Sequence, residues 1–328
     1  MSAEASSDSW LDRPVLVTGG TGLAGGWLVR RLVELQANVV CLVRDWVPDC
    51  SILRDAGTND VTLVFGDIGD QALVERALGD YEVESVFHLA AQTVVPIANS
   101  NPVETFESNV RGTWTLLEAC RRSPKVAAVV VASSDKAYGA QDALPYRESA
   151  PLLPVHPYDV SKACADLIAR SYAATFDLPV AVTRAGNFFG GGDLNWSRVV
   201  PGTIRSALRS RPPVIRSDGT PLRDYVYIED AVDAYLALAV AVAAGRLSGE
   251  AVNISYGRPL SVREVVDAIL TELGSDLEPV VEATATHEIP AQYLDSSRAR
   301  TELAWSPRYD FEDGLRRTVD WYRDHLAR

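Results

Sequence analysis

The sequence predicts a doubly wound α/β fold, in which a parallel sheet carries helices on both faces. Through the first 185 residues, short apolar runs alternate with amphipathic segments of helical length, which is typical of successive β-α units. The runs are apolar nearly throughout and rich in β-branched residues, as expected of strands buried on both faces. A chain of 328 residues, 47% of them hydrophobic, is long enough to bury such a core.

The predicted elements follow in chain order. Strands are expected at 14–19, 38–43, 61–65, 83–90, 126–132 and 178–184, with helices at 24–35, 102–120 and 158–176. Beyond residue 185 the pattern loosens. There we expect a helix from Glu229, a strand at 251–255, a helix opened by a capping box at Ser261, and a last helix at 311–326.

Composition and charge argue against several kinds of partner. With 31 basic and 44 acidic residues the formal charge is −13, which disfavours nucleic acid and anionic membrane surfaces. Residues 1–12 lack the basic and apolar parts of a secretion signal, so we expect a disordered polar tail and a cytoplasmic protein. The apolar stretch 231–244 is too short to cross a bilayer and follows Asp230, an acceptable helix cap, so it predicts a core helix.

Cysteine and histidine are scattered along the chain. No pair has the close spacing typical of a metal site, so we predict neither a metal nor a disulfide. The residues are Cys41, Cys50, Cys120, Cys164, His88, His156, His287 and His325.

A glycine-rich turn, TGGTGLAGG, follows the first predicted strand and opens the first helix. Glycine at positions 19, 22 and 25 lets the turn tighten and lets the backbone approach a pyrophosphate at the helix N-terminus. The spacing is GxxGxxG. We therefore predict a dinucleotide site that includes Gly19, Thr21, Gly22 and Leu23, with Gly25 packing helix against strand.

Charged residues follow the second and third strands. Asp45 is placed to accept hydrogen bonds from the adenosine ribose, which favours NAD, whereas Arg44 beside it suits the extra phosphate of NADP. We favour NAD and leave NADP open. Asp67, next to Ile68, is placed to reach the adenine amino group; a turn aspartate is the alternative.

Polar residues crowd the end of the apolar strand at 126–132, in the stretch SSDKAYG. Ser134, Asp135 and Lys136 lie there, and the strand must end before Asp135 if all three are to face one site. Tyr158 and Lys162 are four residues apart, on one helix face. We expect the ammonium to lower the pKa of the phenol and make it a base toward a sugar hydroxyl.

The chain resembles the extended short-chain dehydrogenase/reductases, in the branch of nucleotide-diphosphate-sugar epimerases and dehydratases. The resemblance covers nearly the whole length from Pro14 and implies a Rossmann sheet. Its motifs are TGGTGLAG, GDI, HLAAQ, NVRGT, SSDKAYG, YDVSK, GNFFGGGD and RDYVYIEDAVDAY.

The resemblance implies roles for individual residues. Ser134 would hold the sugar 4-hydroxyl, Tyr158 would act as the base, and Lys162 would orient cofactor and tyrosine. Leu89, Ala90, Ala91 and Asn109 match cofactor-binding positions, and Gln92 matches a substrate-binding position. The family also implies a homodimer in which the helices at 102–120 and 158–176 pair across a two-fold axis.

Asp135 and Lys136 separate two reactions within the family. In its 4-epimerases these positions are usually small and uncharged, whereas 4,6-dehydratases carry an acid and a base there. The Ser-Asp-Lys arrangement is similar to CDP-glucose and UDP-N-acetylglucosamine 4,6-dehydratases, and the surrounding motifs favour the CDP-glucose group. The resemblance thus implies an NDP-hexose 4,6-dehydratase with Lys136 as base and Asp135 as acid; a surface ion pair is the alternative.

The nucleotide of the substrate stays open. CDP-glucose dehydratases have an Arg-Pro-Trp block where this chain has PLRDYVYIED. Arginine forks match phosphate oxygens, so the candidates for the diphosphate and nucleotide are Asn187, Arg198, Arg216 and Arg223, with a solvated loop arginine as the alternative at Arg216.

We divide the chain into two parts. Residues 13–185, to which 225–254 returns, are expected to form the NAD(P)-binding Rossmann domain. Residues 186–224 and 255–328 are expected to form a smaller C-terminal α/β lobe for the nucleotide sugar. Besides the dehydratase, an NDP-sugar 4-epimerase and a non-catalytic nucleotide-binding regulator are retained as alternatives.

Overall fold

A computed structural model of the protein describes residues 9–45, 60–284 and 289–327, and a seven-stranded parallel sheet lies at its centre. Its strands are β1 (Pro14–Thr18), β2 (Asn38–Val43), β3 (Val61–Phe65), β4 (Ser85–His88), β5 (Ala128–Ala132), β6 (Val180–Ala185) and β11 (Ala251–Ile254). Short strands of other sheets lie between β6 and β11 in the chain.

Seven short strands form smaller sheets beside it. They are β7 (Asn187–Phe189), β8 (Val214–Ile215), β9 (Leu222–Arg223), β10 (Tyr225–Tyr227), β12 (Leu260–Ser261), β13 (Val280–Val281) and β14 (Ala291–Gln292). Strand β7 pairs with β10, β8 with β13, and β9 lies between β12 and β14.

The helices complete the chain. They are α1 (Leu23–Glu34), α2 (Gln71–Asp80), α3 (Val95–Ser100), α4 (Pro102–Phe106), α5 (Gly112–Arg122), α6 (Pro157–Phe176), α7 (Val199–Leu208), α8 (Ile228–Ala243), α9 (Val262–Leu273), α10 (Ser297–Glu302) and α11 (Phe311–Leu326). A π-helical turn (Glu107–Arg111) joins α4 to α5, and a 3₁₀ helix (Asp135–Tyr138) follows β5.

The strand order of the central sheet is β11-β6-β5-β4-β1-β2-β3. All its pairs are parallel, and Leu16 of β1 lies between Val40 of β2 and Val86 of β4. The order reverses at β1, so a crevice opens outside the carboxyl ends of β1 and β4, where ligands bind in such sheets. The predicted doubly wound fold is confirmed.

Each face of the sheet carries its own hydrophobic core. Val15 and Val17 point to the side covered by α1 and α8, whereas Leu16 between them points to the side of α2, α5 and α6. This alternation explains why the strands are apolar at every position: both faces are covered.

The chain start and one helix boundary differ from the prediction. Trp10 is fully buried against Phe87, so the expected disordered tail 1–12 is too long; residues 1–8 lie outside the described residues, as do Cys50 and His287. Asp230 does not cap α8, because β10 runs directly into the helix and Tyr227 is the cap residue. The Asp230 carboxylate instead accepts hydrogen bonds from the Tyr256 hydroxyl and the Arg308 amide.

The predicted helix 102–120 is interrupted. The π-helical turn inserts an extra residue between α4 and α5, and α3 precedes them unpredicted. Periodicity alone does not reveal such a turn, because a π-helical turn of five residues is too short to set a pattern of its own. The capping box at Ser261 is confirmed, because its hydroxyl accepts from the Glu264 amide and the Glu264 carboxylate from the Ser261 amide.

Within the described ranges, every helix is too short or too polar to cross a membrane. The same ranges hold no cluster of three or more metal-ligating side chains. The cytoplasmic location and the division into two domains stay predictions.

Candidate active site

The glycine turn after β1 is tight enough to exclude side chains. Gly19 has a positive φ of 78°, and a Cβ there would lie 2.7 Å from the Ala90 amide nitrogen at the end of β4. A Cβ on Gly25 would lie 2.1 Å from the Gly19 carbonyl oxygen. The turn therefore leaves the backbone at the N-terminus of α1, from Gly22 and Leu23 onward, open to the close approach of a pyrophosphate. This fits the predicted dinucleotide site.

Charged side chains lie at the ends of β2 and β3. The Arg44 guanidinium donates to the Asp45 carboxylate over 2.7 Å, and this bond raises the pKa of Arg44, with Asp67 adding to the shift. Asp67 also accepts from the Gly69 amide over 2.7 Å, so it holds the turn after β3. Its predicted reach toward adenine stays a prediction.

A buried histidine ties the neighbouring strand ends together. His88 lies between Thr18 of β1, 2.8 Å from Nδ1, and Thr113 of α5, 3.0 Å from Nε2. Burial lowers its pKa to about 3, with the Lys162 charge contributing, so the ring is neutral. The Ala90 amide donates to the Thr18 hydroxyl over 3.2 Å, which fixes the backbone beside the glycine turn. Sequence reasoning noted HLAAQ but missed this role of its histidine.

Asn109, on the π-helical turn, joins two parts of the site. Its side-chain oxygen accepts from the Gln92 amide over 2.6 Å, and its nitrogen donates to the Gln92 carbonyl and to the Ser161 hydroxyl of α6. Asn109 thus positions the loop after β4 against the helix that carries Tyr158. Direct contact of Asn109 with the cofactor stays a prediction.

Two side chains clamp helix α6 to the end of β5. The Ser133 hydroxyl donates to the Lys162 carbonyl over 3.0 Å, and the Lys162 ammonium donates to the Ala132 carbonyl over 2.8 Å. Burial lowers the pKa of Lys162 to about 8. Lysine and helix are therefore held in place before any ligand arrives.

The Tyr158 phenol departs from the expectation. Burial raises its pKa to about 12, although Ser134, within hydrogen-bonding reach, and the more distant Arg198 charge lower it. The expected lowering by Lys162 is wrong for the protein alone, because the ammonium points to Ala132 instead. The phenol is protonated at neutral pH and needs a further positive charge to act as a base.

The strand ends before the stretch SSDKAYG, as we expected if Ser134, Asp135 and Lys136 are to face one site. Strand β5 ends at Ala132, and Ser134 caps the 3₁₀ helix by accepting from the Lys136 amide over 3.2 Å. The Ser134 hydroxyl donates to the Asp135 carboxylate over 2.9 Å. Asp135 is only 4% exposed and Lys136 is half-buried, which rules out the alternative of a surface ion pair.

Burial raises the pKa of Asp135, against the smaller opposing effects of Lys136, Ser134 and Arg223. Asp159 on α6 is also buried, and burial raises its pKa while Lys136 and His156 lower it. The site therefore holds two carboxyl groups around one lysine. Asp159 was missed because nothing in YDVSK distinguishes it from a helix-start aspartate.

A second missed residue comes from the C-terminal part of the chain. Gln292, fully buried on β14, accepts from the Lys136 ammonium over 3.3 Å and donates to the Asp135 carbonyl over 3.0 Å. Its signal in the sequence was the stretch HEIPAQYLD, whose glutamine had no assigned role.

The predicted substrate residues fall into two groups. Arg198 directly precedes α7, pairs with Asp193 over 3.0 Å and acts electrostatically on Tyr158. The buried Arg223 acts on Asp135. The exposed Asn187 donates to the Asp224 carbonyl, and Arg216 is exposed after β8. The structure thus places Arg198 and Arg223 within electrostatic range of Tyr158 and Asp135, and leaves Arg216 as an exposed residue.

Comparison with known proteins agrees with this geometry. The chain matches the model of the NAD dependent epimerase/dehydratase family over residues 15–255. It is 31% identical to the CDP-glucose 4,6-dehydratase of Salmonella typhimurium, over 96% of this chain and 91% of that protein. It is 32% identical to the UDP-glucose 4-epimerase of Azospirillum brasilense, over 94% and 92%.

A solved structure extends the match. The dTDP-glucose 4,6-dehydratase of Streptomyces venezuelae with NAD bound superposes with a TM-score of 0.85 at 31% identity, covering 96% of this chain and 98% of that chain. The glycine turn fits the same cofactor, NAD. The chain therefore belongs to the NAD dependent epimerase/dehydratase family of extended short-chain dehydrogenase/reductases.

Proposed function

We propose that the protein is an NDP-hexose 4,6-dehydratase that converts an NDP-glucose-type sugar to the NDP-4-keto-6-deoxy sugar. The observation that carries the proposal is the buried Asp135 with Lys136 beside Ser134, an acid and a base that C4 epimerisation does not need. The nucleotide base and the sugar are left open.

The first step is oxidation at C4. Ser134 holds the 4-hydroxyl and Tyr158 takes its proton, while Lys162 keeps the helix and the tyrosine in register with the end of β5. NAD held at the glycine turn would supply the hydride acceptor for C4 and the hydride donor for C6, and its positive charge would favour the phenolate of Tyr158. Tyr158 therefore becomes a base only in the loaded site.

Elimination follows because a C4 ketone makes the C5 proton acidic. Lys136 removes that proton, and Asp135 donates a proton to the departing C6 hydroxyl, which leaves as water. Burial raises the pKa of Asp135, which favours the protonated form that this role requires. Hydride addition at C6 and return of a proton to C5 complete the product, so the overall change is the loss of one water.

Arg198 and Arg223 are suited to the diphosphate. The Arg198 charge acts on Tyr158 and the Arg223 charge on Asp135, and a guanidinium matches phosphate oxygens in a chain that is otherwise strongly acidic.

The test is incubation with CDP-, TDP-, UDP- and GDP-glucose followed by mass spectrometry. Loss of one water, with absorbance of the ketone in base, is the expected result. An isobaric product changed only at C4 would reject dehydration in favour of the alternative, an NDP-sugar 4-epimerase. That alternative is supported by the 32% identity to an epimerase and by Ser134, Tyr158 and Lys162, which serve either reaction.

We also propose a homodimer built on the helices α4, α5 and α6. Val103, Trp114 and Leu167 on these helices are 70%, 45% and 54% exposed, a large apolar surface for a monomer to leave in water. Light scattering should give twice the chain mass. Leu167→Glu should yield monomers, whereas Val155→Glu, at an exposed loop position, should stay dimeric; a monomeric wild type would reject the interface.

A further inference from the structure

A single buried glutamine joins the two residues of the Asp-Lys pair. Gln292 has no exposed surface and lies 156 residues from Lys136 in the chain. Its side-chain oxygen accepts from the Lys136 ammonium, and its nitrogen donates to the Asp135 carbonyl. One side chain thus contacts the backbone of the proposed acid, Asp135, and the ammonium of the proposed base, Lys136.

The two partners fix the orientation of the amide. An ammonium only donates and a carbonyl only accepts, so the oxygen of Gln292 must face Lys136 and its nitrogen must face Asp135. The distance to Lys136, 3.3 Å, is at the long end of the range for a hydrogen bond, whereas the distance to Asp135 is 3.0 Å. The backbone is held firmly and the amine more loosely.

The segment that carries Gln292 is itself anchored. Strand β14 runs parallel to β9 with Gln292 opposite Arg223. On one side the Leu294 amide donates to the Asp224 carboxylate over 2.6 Å, and on the other the Tyr146 amide donates to the Tyr293 carbonyl over 2.9 Å. Gln292 therefore approaches the 3₁₀ helix from a fixed support.

The charges around Lys136 explain why an uncharged partner suits this position. Asp135 lies on the same 3₁₀ helix and Asp159 on α6, and Arg223 lies on β9 next to Asp135. The Lys136 charge already acts on both carboxyl groups. A third carboxylate in direct contact would bind the ammonium form strongly, whereas an amide oxygen directs the amine without adding charge.

We propose that Gln292 is a positioning residue for the elimination step, aiming the Lys136 amine at C5 through a contact that adds no charge. The inference rests on the proposed dehydratase function. It adds that a residue of the C-terminal part, far in the chain from every catalytic motif, supports elimination but not the preceding oxidation at C4.

The experiment compares Gln292→Glu and Gln292→Leu with wild type in single turnovers of the NDP-glucose that the enzyme dehydrates. Formation of reduced cofactor reports oxidation at C4, and loss of water reports elimination. We expect C4 oxidation to stay within a few-fold of wild type and elimination to slow by roughly 10- to 100-fold, so that reduced cofactor accumulates. Gln71→Glu, a partly exposed glutamine on α2, is the matched control and should change neither rate.

The pH profile distinguishes positioning from structural support. Gln292→Glu places a carboxylate against the amine, so the acid limb of the elimination rate should move to higher pH by roughly one unit. Gln292→Leu removes an acceptor that favours the ammonium form, so its limb should move to lower pH. NAD affinity should remain near wild type in both variants, whereas the thermal unfolding midpoint should fall, because each variant disturbs buried hydrogen bonds.

Each outcome decides the matter. If both variants slow oxidation and elimination equally with unchanged pH profiles, Gln292 is only structural and the inference is wrong while the dehydratase proposal stands. If either variant eliminates water at the wild-type rate, the inference also fails alone. A wild-type protein that only epimerises overturns both the inference and the dehydratase proposal. If Gln292→Glu does not fold, Gln292→Leu still provides the test.

Discussion

The two ends of the ligand crevice are built differently. The cofactor end (residues 18–25, 44–45, 66–69 and 88–92) is shaped by backbone: glycines exclude side chains, and Thr18 and His88 lock the strand ends. The catalytic end (residues 133–138, 158–162, 223 and 292) depends on charged side chains brought together from distant parts of the chain. One end requires space, and the other requires a particular set of charges.

This difference separates what the family shares from what varies within it. A backbone cradle binds the same cofactor whatever reaction follows, so it fits dehydratases and epimerases alike. In the proposed mechanism, the choice of reaction depends on Asp135, Lys136 and the residues that hold them. Substitutions at the two ends should therefore fail in different ways.

The largest effect is expected at Lys136. Lys136→Met should slow loss of water by roughly 10²–10⁴-fold, the usual contribution of a general base. Oxidation at C4 should persist, because Ser134, Tyr158 and Lys162 are untouched. Product mass spectrometry with detection of reduced cofactor measures both, and Lys125→Met, at an exposed ion pair with Glu82, is the control. Full dehydratase turnover in Lys136→Met would place the base elsewhere.

The cofactor end could be predicted from the sequence more completely than the catalytic end. The glycine turn and the strand ends were predictable because each motif is local and adjacent to its strand. Gln292 was not, since its partners are 156 and 157 residues away. The sign of the Tyr158 shift was wrong because the four-residue spacing places Lys162 on the same helix face but does not say that its ammonium turns to Ala132.

At the cofactor end, Gly25→Ala should act on binding before chemistry. A Cβ 2.1 Å from the Gly19 carbonyl forces the turn to shift, and overpacking of this kind costs about 1–3 kcal/mol. We expect NAD affinity to fall roughly 10- to 100-fold by calorimetry. Gly79→Ala on α2, where a Cβ meets nothing within 4 Å, should instead stabilise the fold by about 0.5–1 kcal/mol. Unchanged NAD affinity in Gly25→Ala would show that the turn is not the cradle.

Acid should weaken the cofactor end through His88. Its folded pKa of about 3 lies below the ordinary 6.5, so the unfolded chain binds the proton more readily and stability falls as pH drops from 6.5 toward 3. At about pH 5 the loss from this group should be roughly 2 kcal/mol. Denaturant unfolding of His88→Gln should show a shallower decline; a parallel decline would mean that His88 does not titrate in this range.

Asp224, which follows Arg223 and accepts from the Leu294 amide beside the catalytic end, should respond to pH in the opposite direction. Burial raises its pKa to about 7 from 3.8, so the stability that the protonated carboxyl contributes is fully present below pH 3.8 and is lost as pH rises through 7. Asp224→Asn cannot ionise, so its stability relative to wild type should increase between about pH 5 and 8. Denaturant unfolding at both pH values measures the difference, and a constant difference would contradict the shift.

The smallest effect is expected at the exposed Arg44–Asp45 pair. Such a surface ion pair stabilises a fold by at most about 1 kcal/mol, so Asp45→Asn should leave the unfolding midpoint nearly unchanged. Removing the carboxylate releases Arg44 from its partner and takes away the acceptor predicted for the adenosine ribose. NAD should then bind several-fold more weakly while NADP binds more tightly, which competitive titration measures. A change in NADP affinity without one in NAD affinity would mean that Asp45 acts only by restraining Arg44. At the cofactor end, the Asp45 side chain would then adjust which cofactor binds, while the glycine turn that holds the pyrophosphate is backbone. At the catalytic end the proposed base is itself a side chain, Lys136, and no backbone group there can take its role.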